Sequence, residues 1–171
     1  LKENLEDIRL EKEIFLVEGY MDVIKLYCSG IKNAVSTLGT TLSEIQLKKM
    51  WNFSDIPYVC FDGDDAGQSA SKKIAEKVLK FLLPGKSLKF VLIPENLDPD
   101  SFLQNNKKED FLALKNKAKD LSMIIWENIE NSISNPTPEY VALIDNKIND
   151  IVKKIDDVSV SKEYFRFLKS Q

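Results

Sequence analysis

Four short apolar runs punctuate the first hundred residues: EIFLVEG at 13–19, NAVSTLGT at 33–40, PYVCF at 57–61 and LKFVLIP at 88–94. Each is bounded by charge, glycine or proline and has the length of a buried strand rather than of a helix. Between them the apolar period becomes helical. Residues 20–29 set Val23, Ile24 and Tyr27 on one side, with Gly30 placed as a left-handed stop. Ser43 and Gln46 fit a capping box that opens a helix to about Phe53. After Gly67, the residues Ala70, Ile74, Val78, Phe81 and Leu82 trace another helix, which Pro84 and Gly85 end. Strands that alternate with helices need crossover connections, so the sequence predicts an α/β fold: a parallel sheet flanked by helices.

Beyond Asp100 the strand signals stop, and helical stretches follow at about 108–118, 121–134, 138–155 and 160–169, with Thr137 as an N-cap. The expected organisation is a lead-in segment at 1–11, an α/β domain at 12–105 and a small all-helical subdomain at 106–171. Leu1 in place of an initiator methionine points to a piece of a longer polypeptide.

The third run, continued to Gly67, reads YVCFDGDDAG and drives an apolar strand into three aspartates. Ligands of parallel α/β sheets collect beyond the carboxyl ends of the strands. Glu18 ends the first strand, Asp62 and Asp64 end the third, Asp98 and Asp100 follow the fourth, and Asp22 lies one helical turn past Glu18. Two carboxylates about 4 Å apart repel by roughly 1 kcal/mol in water and about 4 kcal/mol at the dielectric of a protein surface. A rim of six such groups needs a cation.

Composition narrows which cation. The chain of 171 residues has no histidine, and its two cysteines, Cys28 and Cys60, form no CxxC pair. Zinc chemistry is thereby disfavoured, and hard oxygen-seeking ions such as Mg²⁺ or Mn²⁺ fit the donors. Unpaired thiols and the lack of a signal peptide point to the cytoplasm, and no apolar run is long enough to span a membrane. A net charge of −3 lacks the basic signature of a simple DNA-binding module, and Arg9 and Arg166 are the only arginines for clamping phosphate.

Several rival readings are open to the same residues. DGDDAG by itself is equally a turn in which Asp64 or Asp65 caps the next helix, and DPD at 98–100 is by itself more readily a capped turn than a ligand pair. A calcium loop fails because Ala66 and Lys73 occupy its fifth and twelfth positions. Neither a P-loop nor a GxGxxG motif is present. Lys72, Lys73, Lys77 and Lys80, like Lys48 and Lys49, read as solvated helix faces, and Trp51, Phe53 and Trp126 as core.

FLVEGYMDVIKL at 15–26, followed by AVSTLGT, CFDGDDAG and LDPDSFL at these spacings, resembles the Toprim core of bacterial replicative DNA primases. The resemblance covers about residues 12–105. DLSMIIWENI and the TPE helix start extend it more weakly into the helical subdomain. It implies Glu18, Asp62 and Asp64 as the catalytic residues and, with Asp98 and Asp100, as ligands of two or more Mg²⁺ or Mn²⁺ ions. Asp22 would support the acidic rim, and Tyr20 would touch the template strand or a nucleotide. Asp65 stands where such loops often carry a basic residue; its expected role is a helix cap, with a second-rank acid as the alternative.

The implied activity is metal-dependent synthesis of short RNA primers from nucleoside triphosphates on single-stranded DNA during replication. The replicative helicase would be met through a region outside these residues, and no zinc or membrane is expected. These residues alone are expected to bind metal but to make little or no RNA. The alternatives are a Toprim nuclease using the same carboxylates and a non-catalytic metal-binding module.

Overall fold

The computed structural model describes residues 5–37, 42–94, 96–131 and 137–171. Five strands, β1 (Phe15–Val17), β2 (Ala34–Ser36), β3 (Tyr58–Phe61), β4 (Lys89–Leu92) and β5 (Lys119–Asp120), form one sheet in the order β2-β1-β3-β4-β5. The first four are parallel, as expected. The fifth runs antiparallel to β4, pairing Phe90 with Lys119 and Lys89 with Asp120. This corrects the expectation of no strand beyond Asp100: two charged residues carry no apolar signature, and they pair only because the edge of β4 is there to receive them.

The nine helices among the described residues are α1 (Leu5–Glu11), α2 (Tyr20–Cys28), α3 (Glu44–Trp51), α4 (Asp65–Val78), α5 (Pro99–Asn105), α6 (Lys108–Asn116), α7 (Leu121–Glu130), α8 (Pro138–Val152) and α9 (Val158–Lys169). Ser43 and Gln46 make the expected capping box on α3. Gly30 ends α2 at φ +82°, and Gly85 turns at φ +80° after a short 3-10 turn over Leu79–Phe81. Helix α4 starts before Gly67, at Asp65. The glycine loop expected after β2 and the end of the helix expected to 134 fall on residues 38–41 and 132–136, outside the described residues.

Alternation along the strands divides the interior into two layers. Leu16, Val59, Phe61 and Phe90 face α3, α4 and the later helices, whereas Phe15, Val17, Cys60 and Val91 face α2, α5 and α6. The helical segment does not stand apart. Leu121, Ile125, Ile129, Ile148 and Leu168 belong to the same buried cluster as Leu16 and Val59. Lys115 ties α6 to the sheet by an ion pair with Glu13 at 2.6 Å, and Trp51 and Trp126 pack with this core as the sequence implies.

Candidate metal centre

In this strand order, β1 leads to β2 on one side and β3 to β4 on the other, so the chain reverses its winding between β1 and β3. At such a switch point the loops diverge and open a crevice beyond the carboxyl ends of the two strands. Glu18 directly follows β1 and Asp62 directly follows β3.

Two glycines bring the backbone close around Asp62. A Cβ on Gly63 would lie 2.2 Å from the carbonyl oxygen of Pro94, and one on Gly67 would lie 2.3 Å from that of Asp62 itself. The Gly63 amide donates to the carbonyl of Leu97 at 2.9 Å, so the loop after β4 is stitched to the DGD turn. The 62–67 loop can fold this tightly only without side chains at those two positions.

The six carboxylates are brought to one rim. Burial, and then the charges of Glu18, Asp22, Asp98 and Asp64, push Asp62 from the ordinary 3.8 up to about 6. Asp22 is also raised, chiefly by burial, with Asp98 and Asp100 adding repulsion against the relief of backbone hydrogen bonds. Its Oδ2 accepts from the Gly19 amide at 2.9 Å, which makes it a structural cap of α2 within the rim. Asp64 Oδ1 accepts from the Gly67 amide at 2.7 Å and caps α4. Asp65 is therefore not the cap, contrary to the preferred expectation; it is the first helical residue and is exposed. Asp98 caps α5 through the Ser101 amide, and Asp100 lies 4.0 Å from the Lys25 ammonium. Tyr20 is 62% exposed at the start of α2.

The donor set suits a hard divalent cation. Asp62 Oδ1 is buried with no hydrogen-bond partner in the protein, a state that costs about 1–3 kcal/mol unless something else satisfies it. Glu18, Asp62 and Asp64 would hold the ion. As they stand, no three such side chains among the described residues are grouped closely enough to coordinate one. The acids stand in an open arc.

Sequence reasoning missed the surroundings of this arc. A cavity of about 390 Å³ adjoins Asp62 and is lined by Gln68 and Lys72 of α4, Ile93 after β4 and Asn128 of α7. Lys25, whose ammonium lies 4.0 Å from Asp100, was also missed. Neither signal is local, because a lysine or asparagine on a helix reads as solvated until its neighbours are known.

A Toprim-like family profile matches residues 15–103. The DNA primase of Rickettsia felis is 36% identical over 156 residues, which is 91% of this chain and 26% of that protein. The DNA primase of Pseudomonas aeruginosa is 46% identical over 101 residues, 59% of this chain and 15% of that protein. Among solved structures, a DNA primase domain from Pseudomonas aeruginosa superposes with a TM-score of 0.88 at 32% identity, covering 98% of this chain and 54% of that one. A DnaG primase catalytic domain bound to single-stranded DNA superposes at 0.87 and 25% identity, covering 98% and 56%. The chain thus spans about a quarter of the length of the curated relatives it matches. It belongs to the Toprim-like family, and nearly its whole length is similar to the catalytic core of DnaG-type bacterial primases.

Proposed function

We propose that this chain supplies the metal-binding part of a primase centre that joins ribonucleotides on single-stranded DNA. The observation that carries the reading is Asp62: a buried carboxylate oxygen without a partner, at the sheet's switch point and amid four other acids, in a chain whose relatives are DNA primases. Bound Mg²⁺ or Mn²⁺, in two or more positions, would neutralise charge on the attacking 3′-hydroxyl, the α-phosphate and the departing pyrophosphate. Asp62, whose charge is coupled to those of Glu18 and Asp64, would serve more than one ion. Asp98 and Asp100 would complete the ligand set from the α5 side, and Asp22 holds the Glu18 turn in register through Gly19.

Tyr20 offers its exposed ring to a template base or an incoming nucleotide. One of the matching structures holds single-stranded DNA, which supports a single-stranded template here. Nucleoside triphosphates, the RNA primer and, through another part of the protein, a replicative helicase are the remaining partners. Among the described residues no helix is long and apolar enough to cross a membrane. Work in the cytoplasm belongs to the same proposal, on the strength of the DNA primase relatives.

Manganese binding, followed by the paramagnetic signal of free Mn²⁺, tests the site. Glu18→Ala, Asp62→Ala and Asp64→Ala should each weaken affinity at least about tenfold, the equivalent of one lost ligand. Unchanged affinity in all three would remove the metal centre and leave six carboxylates that only cap and repel.

A further inference from the structure

One end of the acidic rim already has a cation. Lys25 of α2 and Asp100 of α5 meet at 4.0 Å, and their side chains are only 27% and 26% exposed. The pair between Lys153 and Asp150 at the end of α8, by contrast, is 77% and 73% exposed. A charge pair sheltered to the degree of Lys25 and Asp100 is screened less by salt and solvent than such surface pairs are. Two helices build the contact. Asp22 and Lys25 stand three residues apart and so share a face of α2. Asp22 is buried, and it accepts from the backbone of Asp100 as well as from the Gly19 amide. Pro99 opens α5, and Asp98 caps it through the Ser101 amide, so the backbone on either side of Asp100 is fixed. Asp22 therefore pins the main chain of Asp100 while Lys25, about one turn further along α2, faces its carboxylate.

A tethered ammonium beside a carboxylate competes with any divalent ion for it. The ammonium repels the arriving ion at short range, and the ion must also draw Asp100 away from a partner it already has. That competition is confined to the α5 side of the rim, because Glu18, Asp62 and Asp64 come from the ends of β1 and β3. We propose that Lys25 is a positioning residue that sets the order in which the rim fills. The first ion enters among Glu18, Asp62 and Asp64, and a second ion that draws on Asp98 and Asp100 enters against the lysine. This role rests on the proposed metal centre and deepens it by separating two ions in affinity. Lysine suits the task, since a point charge on a flexible stem can hold a carboxylate and also withdraw from it.

The test is titration of Mn²⁺ into the 171-residue chain, read from the paramagnetic signal of the free ion. Lys25→Met removes the charge and keeps most of the stem. It should tighten the weaker ion at least about fivefold, or bring one into the measurable range, and leave the tighter ion within about twofold. Lys25→Gln, neutral but polar, should do the same, and Lys25→Arg, which keeps the charge, should not tighten the weaker ion. With Asp100→Asn beneath it, Lys25→Met should gain less than about twofold, since the pair it breaks is already gone. The gain should also shrink as salt rises. A weaker ion unaltered by both neutral variants, or tightened as much by Lys25→Arg, would overturn the role. So would an equal loss of both ions in all three Lys25 variants, the mark of a residue that only holds the fold. A parent that takes up no Mn²⁺ would overturn the metal centre and the order of filling with it. A parent that binds Mn²⁺ with the same affinities whatever stands at position 25 would leave the centre standing and remove the lysine from it.

Discussion

Asp62 is held in a state that folding alone does not favour. Its carboxyl is raised to about 6 because burial and four neighbouring acids oppose its charge. The folded state keeps this proton to higher pH than an unfolded chain does. The contribution of Asp62 to stability is therefore fully present below about pH 4 and lost as pH rises through 6. Metal binding runs the opposite way, since the ion needs the carboxylate. Mn²⁺ affinity should fall by about tenfold per unit as pH drops below 6, and a flat profile between pH 5 and 7 would show that Asp62 is not a ligand. Asp62→Asn removes the charge and keeps the shape. In EDTA at pH 7.5 it should raise the melting temperature, by about 2–4 °C for each kcal/mol of relieved repulsion, and it should abolish the stabilisation that Mn²⁺ gives the parent. At this scale the sequence was informative: Glu18, Asp62 and Asp64 lie where the strand ends put them. It misplaced the cap by one residue, because Asp64 and Asp65 both have capping chemistry and only the φ/ψ of the turn decides which side chain meets the Gly67 amide.

At the scale of elements, the strand–turn–helix unit from Tyr58 to Val78 presents the carboxylates, and Gly67 sets how closely α4 approaches β3. A Cβ there meets the backbone of Asp62 at 2.3 Å, and neither partner can yield without moving the other. Gly67→Ala should cost about 1–3 kcal/mol by overpacking and should also weaken Mn²⁺ binding, since the displaced group carries Asp62. Gly85→Ala is the control. Its φ of +80° is unfavourable to a side chain by about 1–2 kcal/mol, yet nothing lies within 4 Å, so stability should fall and Mn²⁺ affinity should not. Equal metal affinity in Gly67→Ala and the parent would mean that the turn does not position the ligand. Most helices were legible from period and cap, including α3 and the stop at Gly30. Helix α1 was read only as a lead-in segment, for its one buried residue, Ile8, is too little pattern to announce a helix.

For the whole molecule, the helical segment completes the sheet domain. It covers the edge of β4 with β5 and fills the α4 side of the interior with Leu121, Ile125, Ile129, Ile148 and Leu168. A chain ended at residue 105 would expose Phe90, Leu16 and Val59 from that layer along with a bare strand edge. Residues 1–105 alone should bind a hydrophobic dye and lack a cooperative thermal transition, whereas the 171-residue chain should unfold in a single step in near-UV dichroism. A cooperative, dye-free 1–105 would show that the sheet is stable without its helical cover. By itself the sequence determined the first four strands, their parallel sense and the acids that follow them, because alternation, apolar period and capping chemistry act over a few residues. Only the tertiary structure decided that the helical segment shares the sheet's core, that β5 runs antiparallel to β4 and that Lys25 of α2 meets Asp100 of α5. Each of those depends on which distant surfaces meet, and burial and pairing energies are set by the partner rather than by the local pattern.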